Sequence, residues 1–323
     1  MVVLPSDKLR VAAIDIGTNS ILLTIADWNG GNPMVLLDRA TITRLGAGVD
    51  RNRRLSPDAV TCSLNCLRDY DSLIRLHGVT LVDAVGTSVL RDARESGAFL
   101  TAAQAILGVI PRIVDGLEEA RLTCIGALSG ESAPGPFVVF DVGGGSTEVI
   151  TGDWTASGVV PRDHISLDIG CVRLTERFVA SDPPSSETIS TIRSAVQTAL
   201  ARIPFDASRG MVVGVGGTVT TLAAVELGLR EYDAARVHGS TLELGTVRKR
   251  RERLCMLNRN ERAQVAGLSV GRADVIIAGA LIVEQFLEFL GRDSVAVSDQ
   301  GVRHGLLREL FRRAGVAARG LNT

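Results

Sequence analysis

Two stretches of this chain carry residue types suited to holding phosphate. In residues 136–150, PFVVFDVGGGSTEVI, an apolar run stops at Asp141, turns through Gly143, Gly144 and Gly145, and resumes as a second apolar run. Read as strand, turn and strand, the segment makes Asp141 the first polar side chain to emerge at a strand end. Glycines lack Cβ, so several backbone N–H groups can approach an oxyanion, with the Ser146 and Thr147 hydroxyls as added donors. Residues 11–23, VAAIDIGTNSILL, repeat the arrangement, with Asp15 followed by a turn through Gly17, Thr18, Asn19 and Ser20. Taken alone, such a turn is equally a tight hairpin with solvated polar residues. Its recurrence, with aspartate at the same place, favours two turns that face each other across one phosphate chain.

A third glycine group, Gly214, Gly216, Gly217 and Thr218, leads from an apolar run into a helical pattern. A helix N-terminus of this kind suits an anion or the close approach of a nucleotide, and a simple packing turn reads the same way.

These residues must be carried by a regular scaffold. The pattern predicts strands near 9–16, 20–27 and 34–44, a helix over 57–77, a strand at 80–85, a helix from Ser88, a strand at 111–114 and a helix over 116–129. Ser56-Pro57-Asp58 is a strong helix start, with a capping hydroxyl, a proline in the first turn and an acid at the positive end of the dipole. The second half repeats the order: strands near 137–142, 147–152 and 162–168, helices near 171–180 and 186–203, a strand at 211–215, and a helix from Thr218. A basic region, a helix over 273–290, a strand at 294–298 and a helix over 302–314 complete it. The loop VDAVGTSVLRDA of the first half matches VVGVGGTVTTLAAV of the second. Two copies of one strand and helix order predict two similar α/β domains with the site in the cleft between them. The boundaries are drawn at 1–117 and 118–301, with the last helix, about 302–323, packing back on the first domain.

At 323 residues and 46% hydrophobic content, the chain can bury two cores. The net charge of −1 points to neither nucleic acid nor an anionic membrane as partner, so a polyanion would be bound locally. The N-terminus lacks a basic, apolar leader, and no apolar run reaches about 18 residues, so a cytoplasmic location is expected. The five cysteines form no CxxC pair and read as reduced core thiols, a reactive or metal-binding thiol being the minority case.

DIGTNS, DVGGGSTE and GVGGTVTTLAA together resemble the two phosphate motifs and the adenosine motif of the sugar kinase, heat-shock protein and actin superfamily. More closely, the chain resembles the exopolyphosphatase and guanosine pentaphosphate phosphohydrolase family. RLGAGV (44–49), GTSVLRDA (86–93), EEARL (118–122), YDAARVHG (232–239), RADVIIAGALI (272–282) and SDQGVRHGLL (298–307) extend the resemblance over nearly the whole chain. It implies duplicated actin-like, ribonuclease H-like domains, as in the short two-domain members. It also implies a metal-assisted phosphatase that removes terminal phosphates from inorganic polyphosphate, or the 5′ γ-phosphate from guanosine pentaphosphate, with a homodimer left open.

By that resemblance Asp15 and Asp141 hold Mg²⁺, or Mn²⁺, partly through water. Glu148 orients the water or metal, and Arg91, with Arg44 and Arg272, contacts phosphate or lines the cleft. Gly216, Gly217 and Thr218 join the two turns in binding phosphate. Asp115 to Glu118 has capping-box spacing, which gives Glu118 a structural task and leaves Glu119, the family's EEAR glutamate, as general base. Read on their own, both acids are helix-dipole residues of a first turn, and each arginine is a surface or salt-bridged one. The basic run over 248–262 reads as a solvated helix face with internal Glu/Arg pairs, or as a guide for a polyanion. His238 and His304 have no metal-ligand spacing. The chain departs from the family pattern at Glu95, which adds charge near the expected cleft, and at His304, which replaces a common glutamate. The alternatives of another class are an ATP-dependent small-molecule kinase and an actin-like nucleotide switch.

Overall fold

A computed structural model describes residues 9–29, 32–94, 96–129, 135–155 and 158–315. Glu95 lies outside the described residues. In chain order the elements are β1 (Arg10–Ile16), β2 (Ser20–Asn29), β3 (Asn32–Ile42), α1 (Val49–Asn52), α2 (Pro57–Leu76), β4 (Leu81–Gly86), α3 (Ser88–Asp92), α4 (Ser96–Leu107), β5 (Arg112–Ile113) and α5 (Gly116–Ala127). There follow β6 (Gly135–Val142), β7 (Thr147–Thr155), β8 (Gly158–Leu167), α6 (Cys171–Phe178), α7 (Ser186–Leu200), β9 (Met211–Val215) and α8 (Gly216–Glu226). The last are α9 (Ala234–Val237), β10 (Thr241–Glu243), α10 (Leu244–Cys255), α11 (Arg259–Arg262), α12 (Ile276–Leu290), β11 (Ser294–Val297) and α13 (Val302–Arg313). Contacts divide the chain into two compact units. One holds the residues up to Asp115 and those from Val302 on, and the other is Gly116–Gly301.

Each unit is an α/β layer structure built on one sheet. In the N-terminal unit the strand order is β3-β2-β1-β4-β5. The run RVAAIDI takes the centre as β1, antiparallel to β2 and parallel to β4, and is buried from Val11 to Ile16, as an apolar run broken only by Asp15 requires. The C-terminal unit has the order β10-β11-β9-β6-β7-β8, which repeats the first sheet and adds β10 at one edge. There β6 is the central strand, antiparallel to β7 and parallel to β9.

In the N-terminal unit α2 begins at the expected cap, where Ser56 Oγ accepts from Ala59 N–H at 3.2 Å. Its Cys66, Leu67, Tyr70 and Ile74 share a core with Phe99 and Leu107 of α4. The returning α13 brings Phe311 to 5.0 Å from the Trp28 ring on β2. In the C-terminal unit α12 runs through the core, and Phe286 meets Phe140 of β6 at 4.4 Å.

Three of the expected elements take a different form, and α1, α9 and β10 are additional to them. The helix from Ser88 ends after one turn and a separate α4 follows, because Arg94 N–H donates to Arg53 O and leaves the helical path. β5 is only two residues long and follows Pro111, which has no N–H to lend a ladder. α8 opens at Gly216, two residues before Thr218, since the chain reverses at a φ of +88°.

Side-chain pairing explains the basic run. Arg251 Nε meets the buried Glu284 at 2.8 Å, Arg248 meets Glu288 at 2.6 Å, and Arg250 meets Glu226 at 2.7 Å. Arg262 meets Asp182 at 2.6 Å. These acids stand outside the run, on α8, α12 and the segment after α6, so these pairs are tertiary contacts, while Arg251 also lies 3.5 Å from Glu252 within the run. Among the described residues no helix is long and apolar enough to cross a membrane. All five cysteines are free thiols, and burial pushes Cys124 and Cys171 upward, which keeps them protonated.

The Tyr70 hydroxyl donates to Ile21 O at 2.9 Å and lies 2.9 Å from Thr41 Oγ1, joining α2 to β2 and β3. Tyr70→Phe leaves the buried Ile21 carbonyl without this donor and is expected to cost about 1–3 kcal/mol in chemical denaturation. An unchanged midpoint would show that the bond carries no net stability.

Candidate active site

Both glycine turns are held by the same bond. Gly17 N–H donates to Ser20 O at 3.0 Å in the first turn, and Gly143 N–H donates to Ser146 O at 3.0 Å in the second. A Cβ at either glycine would stand 3.1 Å from that carbonyl, tighter than ordinary contact, so the turn itself selects glycine at Gly17 and Gly143. Asp15 pairs with Leu22 across the first hairpin and Asp141 with Glu148 across the second. The two units therefore share a turn, while only the second places a carboxylate opposite its aspartate.

In the N-terminal unit the loop after β3 braces the first turn. Thr43 and Arg44 N–H donate to Asn19 O at 3.1 and 3.0 Å, and Gly46 N–H donates to Thr18 O at 2.9 Å. A Cβ on Gly46 would lie 2.3 Å from the Thr18 methyl, and Arg44 takes the left-handed conformation with φ 53° to make its bond. The Thr18 hydroxyl lies 3.0 Å from that of Ser88, at the start of α3. Both amide atoms of Asn19, the Ser20 hydroxyl and the Thr43 hydroxyl are buried with no hydrogen-bond partner among the described residues. Buried polar groups are rarely left so, and a polar ligand at the turn would satisfy them. Arg91 Nη1 donates to Val114 O at 2.8 Å, which anchors its side chain to the backbone before α5.

In the C-terminal unit Glu148 is buried, and its Oε1 accepts from Ser146 Oγ at 2.6 Å and from Ser166 Oγ at 2.9 Å. Thr147 Oγ1 donates to Ile169 O at 2.5 Å. The Ser146 and Thr147 hydroxyls expected to donate to phosphate thus direct their protons to protein acceptors, and the backbone N–H groups of Gly144, Gly145 and Ser146 donate to no described backbone group outside the strand ladders. Asp141, Glu148 and Ser166 are register partners across three strands and stand on one face of the sheet. Two carboxylates directly opposite each other repel, and an all-oxygen set of this kind suits a hard divalent cation. Among the described residues no group of three or more Asp, Glu, His or Cys forms a metal cage. Mg²⁺ needs none, since it keeps several waters and binds through one or two carboxylates and substrate phosphates.

Glu119 is buried in the first turn of α5, whereas its neighbour Glu118 is half-buried. α5 opens beside the carboxylate row, because a Cβ on Gly116 would lie 3.8 Å from that of Ser166. Asp15 belongs to the N-terminal unit, and Asp141, Glu148 and Glu119 to the C-terminal one.

The third glycine group makes room for neighbouring side chains. A Cβ on Gly216 would stand 2.3 Å from Asp141 Oδ1 and 2.9 Å from Val142 O, so this residue must be glycine for Asp141 to lie where it does. Gly217 lies flat under the Arg272 guanidinium, whose nearest atom would be 2.0 Å from a Cβ there, and burial pushes Arg272 down. Thr218 is buried against Gly279 of α12. Gly46, Gly170 and Arg173, which touch the two turns, are not among the residues the sequence singles out, although Gly46 stands in the motif RLGAGV.

Two α/β units that each present a glycine turn beside a carboxylate describe an actin-like protein that handles phosphate. A sequence profile of the Ppx/GppA phosphatase family matches residues 24–314. Exopolyphosphatase 2 of Mycobacterium tuberculosis is 39% identical over 320 residues, covering 93% of this chain and 98% of that protein. The crystal structure of the Aquifex aeolicus Ppx/GppA family member superposes with a TM-score of 0.80 at 34% identity, covering 95% of this chain and 99% of that one. An exopolyphosphatase from Cytophaga hutchinsonii superposes with a TM-score of 0.84 at 25% identity, covering 94% and 98%. The chain belongs to the Ppx/GppA phosphatase family and is accordingly an enzyme of the hydrolase class.

Proposed function

We propose that the protein is an exopolyphosphatase, hydrolysing the terminal phosphoanhydride bond of inorganic polyphosphate. The observation that carries this reading is the carboxylate row Asp141–Glu148 beside a turn whose free donors are backbone amides. The relationship to the mycobacterial exopolyphosphatase supports polyphosphate as the substrate. Guanosine pentaphosphate is the second reading, since it ends in the same anhydride. A kinase or nucleotide-switch role is disfavoured by membership of a phosphatase family.

In this reading the amides of the second turn hold oxygens of the terminal phosphoryl group, and Glu119 takes the proton of the attacking water as its oxygen bonds to phosphorus. The bond to the bridging oxygen breaks, and the shortened chain leaves with the negative charge. Glu148, fixed by two serine donors, orients that water. Asp15 and Asp141 would hold Mg²⁺ or Mn²⁺, which when bound offsets charge on the phosphates. The protein is proposed to act in the cytoplasm.

Phosphate release from long-chain polyphosphate, guanosine pentaphosphate and ATP, measured side by side with Mg²⁺, tests the reading. Polyphosphate is expected to be cleaved fastest, and a chelator is expected to stop release, because the substrate carries more charge than two turns can offset. Undiminished turnover in chelator would overturn the metal-assisted route, and preferential cleavage of guanosine pentaphosphate would transfer the assignment to the second reading.

A further inference from the structure

In the second turn every carbonyl from Gly143 to Gly145 is taken by the start of α6. Cys171 N–H donates to Gly143 O at 3.0 Å, and Val172 and Arg173 N–H donate to Gly144 O at 2.9 and 3.0 Å. The Arg173 side chain completes the set, with Nε donating to Gly145 O at 2.5 Å across 28 residues of sequence. Gly170 permits this approach, since a Cβ there would lie 2.3 Å from Gly144 O. A trans peptide is planar, so its N–H points opposite to its C=O. Pulling the carbonyls of Gly143, Gly144 and Gly145 toward α6 therefore turns the N–H groups of Gly144, Gly145 and Ser146 the other way, side by side. Outside the strand ladders, none of these three amides donates to another described backbone group. Successive amides that converge in this way form an anion-binding concavity.

We propose that Arg173 is a positioning residue whose Nε–H bond to Gly145 O fixes the direction of the Ser146 N–H and so completes the amide cradle for a phosphate oxygen. The inference rests on the phosphatase reading of this turn. Arg173 itself is buried, with 5% of its side chain exposed, and lies 3.8 Å from the exposed Asp168, so its charge is held at the turn by the fold. In the first turn the corresponding braces are the backbone N–H groups of Thr43, Arg44 and Gly46, which offer no side chain to remove. Arg173 is the point at which one substitution tests the device.

Three variants separate the bond from the charge. Arg173→Gln keeps an N–H donor at the same number of bonds from the backbone and loses the charge. Arg173→Met has nearly the same shape as glutamine and no donor. Arg173→Lys keeps the charge, but its ammonium cannot occupy the Nε position. The dissociation constant of imidodiphosphate, a pyrophosphate analogue that is not hydrolysed, is measured by calorimetry with Mg²⁺ present, alongside KM and kcat for polyphosphate and a melting curve for each variant. Met and Lys are expected to raise the dissociation constant and KM by about 10-fold, the usual weight of one oriented hydrogen bond, and Gln by less than about 3-fold. Equal weakening in Gln and Met, or a Lys variant that matches wild type, would assign the effect to charge and overturn the proposal. So would lower melting temperatures with unchanged KM and dissociation constants, which would mark a purely structural residue, or a wild-type protein that does not bind the analogue. If wild type binds the analogue and Met weakens it while polyphosphate is not cleaved, the proposed substrate fails and the cradle stands.

Discussion

Glu119→Gln is expected to lower polyphosphate turnover by roughly 10²–10⁴-fold, the usual weight of a general base, while binding of the substrate stays near that of wild type. Glutamine keeps the size and the hydrogen-bonding outline of the side chain but cannot take a proton from water at neutral pH. The neighbouring Glu118→Gln is the control. It lies on the same turn of α5 but is only half-buried, and glutamine would still complete the capping box that the Asp115 to Glu118 spacing predicts, so turnover is expected to survive with a stability loss below about 1 kcal/mol. Single-turnover phosphate release and analogue binding, measured on both variants, decide the matter. Loss of turnover in the Glu118 variant alone would move the base by one residue. Near-normal turnover in both would shift proton transfer to Glu148 or to the metal-bound water.

Gly216→Ala is expected to reduce turnover by about 10–100-fold, the range found when a group that orients a metal ligand is lost. The added methyl would stand 2.3 Å from Asp141 Oδ1, so the carboxylate must leave its present position. Alanine at a φ of +88° also strains the backbone, at a cost of about 1–2 kcal/mol. Gly228→Ala isolates that second effect, because Gly228 has a φ of +63° and nothing within 4 Å of its would-be Cβ. The Gly228 variant is expected to lose stability and keep its Mg²⁺ dependence, whereas the Gly216 variant is expected to need more Mg²⁺ for half-maximal rate. If both variants keep the wild-type Mg²⁺ curve, Asp141 is not a carboxylate that serves the metal.

The sequence by itself determined the two glycine turns, their flanking strands, the acids Asp15 and Asp141, and the repeat of one sheet order in both halves. These features are local. A hairpin's strands, its turn and the aspartate that precedes it lie within about fifteen residues, and an apolar run buried on both faces announces a central strand. What only the tertiary structure decided are the partners of those residues. Ser146 and Thr147 read as phosphate donors from their position, yet their hydroxyls are taken by Glu148 and Ile169 O. Gly216 read as an anion site, and only the packed chain shows that it also makes room for Asp141 from a different strand. The arginines of the basic run read as a face paired within itself, yet Glu226, Glu284 and Asp182 come from elsewhere in the chain. Arg173 gave no local signal, because its bond to Gly145 O exists only once β7 and β8 have run out and back and set α6 against the turn. A side chain's hydrogen bond depends on which distant backbone group the sheet register brings within about 3 Å, and that register is a property of the packed chain and not of any one stretch of it.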